Sequence, residues 1–134
     1  MDEVFVDTSF VVALVNEDDQ NHQLALNLSS QLSRQRLITT DAILLEIGNA
    51  LSRNFKSESV EIIEDFLTSD DVQVVHLDPT LFRKAFELYK KRPDKVWGLI
   101  DCVSFVVMKE LAITDALSAD RHFEQAGFRI LIKP

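Results

Sequence analysis

Cysteine occurs once, at Cys102, so no disulfide can form within the chain, and a single thiol suits a reducing compartment. Proline and glycine number three each, which excludes collagen-like and low-complexity classes. No apolar run approaches the roughly 20 residues of a membrane span. The start, Met1-Asp2-Glu3, is acidic where a secretory leader is basic. A soluble, cytoplasmic protein with no membrane partner is the expectation. Bases are also in short supply: 14 Lys and Arg face 22 Asp and Glu, a formal net charge of −8. Such a chain cannot hold a polyanion by bulk charge. What is present is 134 residues with 46% hydrophobic content, ordinary for a folded globule and read as one domain spanning 1–134. The charge is uneven. Residues 1–80 carry a net of −11 and residues 81–134 a net of +3, so any nucleic-acid contact must be local.

Val4-Phe5-Val6 reads as a buried strand ending at Asp7, and Thr8-Ser9 opens an apolar helix through Val15. His22 to Gln35 carries Leu24, Leu28 and Leu32 at helical spacing. Leu37-Ile38-Thr39 is a strand, after which Thr40 or Asp41 caps a helix containing Ile43, Leu44, Ile47, Ala50 and Leu51. Ser57 or Ser59 starts a further amphipathic helix, and Val72 to Leu77 alternates like a strand. Pro79 opens a helix whose buried side is predicted to hold Leu81, Phe82, Ala85, Phe86, Leu88 and Tyr89. A basic loop, Lys90 to Lys95, precedes a strongly apolar helix over Leu99–Leu111. Ala112 to Leu117 is a strand, Arg121-His122-Phe123 a short helical piece, and Arg129 to Ile132 a last strand. Strands alternating with helices predict an α/β fold, three layers with a central, mainly parallel sheet flanked by helices.

Most of the acids are solvated charges, but four break that pattern. Asp7 closes the first strand, and Glu46 sits within Ala42-Ile43-Leu44-Leu45-Glu46-Ile47. Asp101 begins the buried helix, and Asp120 follows the strand ending at Leu117. A carboxylate beside a core is costly unless paired, hydrogen-bonded or bound to a cation. In an open parallel sheet the functional crevice lies beyond the carboxyl ends of the strands, where Asp7 and Asp120 fall. If all four converge, they repel one another, and Mg²⁺ or Mn²⁺ with oxygen ligands relieves the repulsion. Such a site supports metal-assisted hydrolysis of phosphodiesters. Taken singly, Asp7 and Asp101 also read as helix caps, Glu46 as half of a distant ion pair and Asp120 as a turn residue. The argument rests on the set.

At these residues the sequence resembles the PIN-domain nucleases, and within them the VapC-type toxins of toxin–antitoxin pairs. The motifs are Val6-Asp7-Thr8-Ser9, Leu45-Glu46-Ile47-Gly48-Asn49-Ala50-Leu51, Leu99-Ile100-Asp101-Cys102-Val103-Ser104-Phe105 and Leu117-Ser118-Ala119-Asp120-Arg121-His122-Phe123, followed by Ala126-Gly127-Phe128. They run in the family's order through essentially the whole chain. The resemblance implies a PIN-like fold and a metal-dependent endoribonuclease, the toxin of a pair. Asp7, Glu46, Asp101 and Asp120 match the acidic quartet that holds one or two Mg²⁺ or Mn²⁺ ions, with Asp7 and Asp101 the most direct ligands. Ser118 would orient Asp120 or a water, and Thr8 and Ser9 would donate hydrogen bonds around the metal. A small antitoxin and a homodimer are the implied protein partners, RNA the substrate.

Lys90, Lys91, Arg92 and Lys95, just before the helix bearing Asp101, are the candidates for gripping the RNA backbone. Arg121 lies nearer Asp120 and pairs with an acid or a phosphate. A solvated loop is the competing reading of the basic run. His22, His76 and His122 show no metal-ligand spacing and read as structural or surface residues. Asp41 reads as a cap, Asp115 as an edge or supporting charge, Cys102 as a buried small residue. Trp97 anchors the loop before Asp101 or, less conservatively, stacks on a base. Two other functions compete. An Asp-dependent phosphatase of the haloacid-dehalogenase type wants a second Asp two residues after the first, where Ser9 stands. A catalytically idle RNA- or protein-binding module has no need of four costly carboxylates.

Overall fold

Val4, Phe5 and Val6 are almost wholly buried, at 2, 0 and 0% exposure, so this strand has no solvent face. It takes the centre of the sheet for that reason. The computed structural model describes residues 3–32 and 34–133. Strands β1 (Glu3–Val6), β2 (Arg36–Thr40), β3 (Val72–Val75), β4 (Asp115–Leu117) and β5 (Arg129–Ile130) form one sheet in the order β3-β2-β1-β4-β5. Every neighbouring pair is parallel. The helices are α1 (Thr8–Val15), α2 (His22–Gln31), α3 (Asp41–Leu51), α4 (Lys56–Thr68), α5 (Pro79–Lys91), α6 (Leu99–Glu110) and α7 (Arg121–Gln125). The α/β architecture with a helix-flanked parallel sheet is as the sequence predicts.

Chain order reverses between β1 and β4, since β1 is followed in space by β2 on one side and by β4 on the other. Crevices form at such a switch point, beyond the carboxyl ends of the strands. The register pairs Val6 with Leu117, and the Asp7 amide donates to the Leu117 carbonyl at 3.1 Å. Asp7 and Ser118 therefore leave the sheet side by side, although 111 residues separate them.

An aromatic cluster sets the angle of α6 beneath this edge. The Phe105 ring meets Phe123 edge-on at 5.0 Å and Trp97 at 5.1 Å, with Phe128 at 5.8 Å. Trp97 is buried, its indole N–H donates to Gln125 Oε1 at 3.0 Å, and the Arg92 guanidinium lies 5.1 Å above its ring. It anchors the loop and is closed to a nucleic-acid base.

Several expectations are corrected. On α5 only Leu81 and Ala85 of the predicted buried side are fully buried. Phe82, Phe86 and Tyr89 are 45, 40 and 46% exposed and stack on one another along the outer face. The apolar stripe is wider than the area α6 covers. The strand predicted to reach Leu77 stops at Val75, because the Leu77 amide turns to the Asp41 carboxylate at 2.9 Å. Asp41 thus ties β3 to α3 instead of capping. Thr40 is the cap, its hydroxyl accepting from the Ile43 amide at 3.1 Å. Helix α4 starts at Lys56, with Phe55 at the cap position in place of a serine. Helix α2 ends at Gln31, short of Gln35. Strand β4 begins only at Asp115, after a left-handed turn at Ala112 with φ of 56°.

Candidate acidic active site

Each of the four carboxylates singled out in the sequence arrives on a different element. Asp7 follows β1 and caps α1, its carboxylate accepting from the Ser9 amide. Glu46 stands in mid-α3. Asp101 is in the first turn of α6, where its Oδ2 accepts from the Gly98 amide at 3.1 Å. Asp120 follows β4 and caps α7, accepting from the His122 amide at 2.9 Å. Asp7, Thr8, Ser9, Glu46, Asp101 and Asp120 all line one open cavity of about 340 Å³. Asp19 and Asn21, from the loop before α2, complete its rim. In the sequence Glu17 to Asn21 reads as a polar loop and helix start, with no signal that it borders a site.

The hydrogen bonds share a pattern. Asp7 Oδ2 accepts from the Ser9 and Ser118 hydroxyls, each at 2.8 Å. Glu46 Oε1 accepts from the Thr8 hydroxyl at 2.7 Å. Asp101 Oδ2 accepts from the Gly98 amide and faces His122 Nδ1 at 3.0 Å. Asp120 Oδ1 accepts from the His122 amide. Among the described residues, one oxygen of each carboxylate is thus held by protein donors while its twin has no protein donor. The serines are themselves fixed. Ala119 donates its amide to the Ser9 hydroxyl and Asp120 to the Ser118 hydroxyl, both at 3.0 Å. The Ser118 hydroxyl thus donates to Asp7 and accepts from the Asp120 amide, while Thr8 and Ser9 donate to Glu46 and Asp7.

Electrostatically the cavity is one-sided, since no Lys or Arg is among its lining residues. Burial pushes the Asp7 carboxyl up from 3.8 to about 6. The Ser118 and Ser9 hydroxyls pull it back down, while the charges of Asp120 and Glu46 add to the rise. Carboxylates from four elements around one cavity, with no Lys or Arg lining it, could hold a hard divalent ion. The phosphatase alternative loses its second Asp, since Ser9 is spent on holding Asp7. Burial, with the Asp101 charge beside it, pushes the Cys102 thiol up to about 11, so it is no nucleophile.

His122, which in the sequence reads as a structural or surface residue, stands beside the quartet. Its Nδ1 lies 3.0 Å from Asp101 Oδ2 and 3.4 Å from Asp120 Oδ1, so it joins two members of the quartet. The one available signal was its position two residues after Asp120. By contrast, His22 Nδ1 contacts the Ala13 carbonyl, and His76 contacts Asp41, both outside the cavity lining. The basic candidates stand apart as well. Lys90 pairs with Glu87, Arg92 with Asp94, and Arg121, 86% exposed, with Glu124 at 3.7 Å. Lys91 lines a separate hollow along α5, and Lys95 one beside Trp97. Asp115 is held by Arg129 through bonds of 2.9 and 2.7 Å at the sheet edge.

An acidic cavity at the β1/β4 switch point of a parallel sheet ordered β3-β2-β1-β4-β5 defines a recognisable class. A family model described as PIN domain matches residues 4–129, and the chain belongs to the PIN-domain family. Within it, the chain is 30% identical over 125 residues to the 23S rRNA-specific endonuclease VapC20 of Mycobacterium tuberculosis, covering 93% of this chain and 95% of that protein. The crystal structure of VapC20, described as a Sarcin-Ricin loop cleaving toxin, is similar with a TM-score of 0.84 at 29% identity, over 93% of this chain and 95% of that one. VapBC2 from Rickettsia felis, bound to a DNA fragment from their promoter, has a TM-score of 0.66 at 12% identity, covering 96% of each chain. FitAcB from Neisseria gonorrhoeae gives 0.65 at 10% identity over 95% of each. These last two share the fold. Among the described residues, no helix is long and apolar enough to cross a membrane.

Proposed function

We propose that this chain is the endoribonuclease toxin of a toxin–antitoxin pair, hydrolysing RNA phosphodiester bonds with Mg²⁺ or Mn²⁺ held by Asp7, Glu46, Asp101 and Asp120. The observation that carries this reading is the common pattern of the four carboxylates around one cavity, each with one oxygen anchored and one left for a ligand. Similarity to VapC20 over nearly the full length supports RNA as the substrate class, with ribosomal RNA the first to test.

Asp7 and Asp101 are the direct ligands: Asp7 Oδ2 is held by two hydroxyls at 2.8 Å and Asp101 Oδ2 by the Gly98 amide and His122 Nδ1 at 3.1 and 3.0 Å, whereas the second contact of Asp120 Oδ1 is longer, at 3.4 Å, and Glu46 Oε1 has one. A divalent ion bound there supplies Lewis-acid polarisation of the phosphate and acidifies a water for attack. Glu46 and Asp120 would hold the ion through water or help to position the nucleophile. Thr8 keeps Glu46 from swinging away, and Ser9 and Ser118 keep Asp7 in register with the sheet edge. Lys90, Lys91, Arg92, Lys95 and Arg121 bind the RNA backbone away from the reacting phosphate. A small antitoxin covers the cavity in the resting pair, and the toxin works as a homodimer in the cytoplasm.

The test is incubation of the purified protein with transfer, ribosomal and messenger RNA pools, with Mg²⁺, with Mn²⁺ and with chelator. Cleavage that needs the metal and is lost in Asp7→Asn and Asp101→Asn, both still folded by circular dichroism, is the expected result. Equal cleavage by these variants would dismiss the site. RNA retention without cleavage would favour the idle binding module.

A further inference from the structure

We propose that His122 is a positioning residue that clamps Asp101 and Asp120 together, setting the geometry of the metal site without itself ligating the metal. The inference rests on the reading of the acidic cavity as a metal site and goes beyond it. No other residue described here contacts two of the four carboxylates from two different elements. The His122 amide holds Asp120 Oδ1 at 2.9 Å, and its imidazole Nδ1 holds Asp101 Oδ2 at 3.0 Å. Facing a carboxylate oxygen, Nδ1 must carry the proton and donate, which fixes the tautomer.

Two observations separate a clamp from a ligand. His122 is absent from the residues lining the cavity, whereas Asp101 and Asp120 are among them. The oxygens it meets are those already bonded, Asp101 Oδ2 to the Gly98 amide and Asp120 Oδ1 to the His122 amide. The oxygens without a protein donor are the other two. The proximity of Asp101, Asp120 and His122, whose ligand atoms all lie within 4.8 Å, resembles a metal triad. The hydrogen-bond directions make it a scaffold for one instead.

The clamp has a purpose in this fold. Asp101 rides on α6 and Asp120 on the turn between β4 and α7, and the other ties between these segments, Phe105 on Phe123 and Trp97 to Gln125, involve neither carboxylate. Without a link at the level of the carboxylates, their mutual repulsion would spread them. Partners that orient ligands commonly change metal affinity by about 10- to 100-fold.

The experiment is calorimetric titration of Mn²⁺ into the full chain, comparing the parent with His122→Ala and His122→Asn. Asn places its amide Nδ2 where the imidazole carries Nδ1, so it keeps the donor and removes the ring. We expect Ala to weaken Mn²⁺ binding about tenfold or more. Asn should return affinity to within about threefold of the parent, and both variants should keep the parent's melting temperature in chelator. Equal affinity of Ala and parent would overturn the clamp while leaving the metal site standing. Failure of Asn to rescue would overturn it too, as would nitrogen hyperfine coupling from a bound imidazole in the spin-echo spectrum of the Mn²⁺-loaded parent. A parent that binds no Mn²⁺ would remove the metal site itself, and the clamp with it.

Discussion

Asp7 is placed where folding and function want opposite things. Its side chain is buried beside two other acids, and its pKa is lifted from 3.8 to about 6. An acid with a raised folded-state pKa contributes stability that is complete below about 3.8 and is lost as pH rises through about 6. At neutral pH the metal-free protein thus carries a penalty on the order of 3 kcal/mol, since each pKa unit is about 1.4 kcal/mol. Asp7→Asn should abolish cleavage and yet raise the melting temperature in chelator at pH 8, with the gain vanishing by pH 4. Thermal melts across that range check it. Ser118→Ala removes a hydroxyl that lowers the Asp7 pKa and anchors its Oδ2, so metal affinity should fall about tenfold at pH 6. The loss should shrink as pH rises, because proton competition at Asp7 fades. The four acids were legible in the sequence because each interrupts an apolar segment. His122 was not, because its partner Asp101 lies 21 residues away and the contact exists only once α6 and α7 pack.

Trp97 matters through the element it fastens. Its ring closes the segment between α5 and α6, and Gly98 immediately after it supplies the amide that holds Asp101. Trp97→Ala should destabilise the chain by about 3–5 kcal/mol. Trp97→Phe keeps the ring on Phe105 and loses the bond to Gln125, which should cost about 1 kcal/mol. Chemical denaturation measures both, and the Phe variant should retain cleavage. At this scale the periodicity of α5 identified a helix and misplaced its buried arc. Spacing shows which residues share a face, but which part of that face a neighbour covers depends on α6, which lies elsewhere in the sequence. Strand ends were misjudged for a related reason. Val72 to Leu77 keeps a strand's alternation throughout, yet the Asp41 carboxylate captures the Leu77 amide, and no local pattern announces an acceptor 36 residues away.

For the molecule as a whole, the net charge of −8 opposes RNA binding, and the acidic cavity concentrates that opposition at the site proposed to take the phosphate. RNA affinity should therefore appear only with the divalent ion present and fall as salt rises. Replacing Lys91 and Lys95 by Gln, neither of which has a carboxylate within 4.0 Å among the described residues, should reduce the salt slope by about 0.7 for each phosphate contact removed. Binding measured by fluorescence anisotropy over a salt series decides this. An unchanged slope would mean that these lysines only solvate the loop.

The adjacency of β1 and β4 also bears on when the protein becomes active. Asp7 leaves the ribosome well before the serine that holds it and the acid beside it, which come 111 and 113 positions later. The central strand stays open on one edge until β4 is delivered against it. No partial product of translation that stops before Asp120 can assemble the four carboxylates, so the cavity forms in a single step once β4 has docked. A site arranged this way has no activity while the segment between Asp7 and Asp120 is still being made.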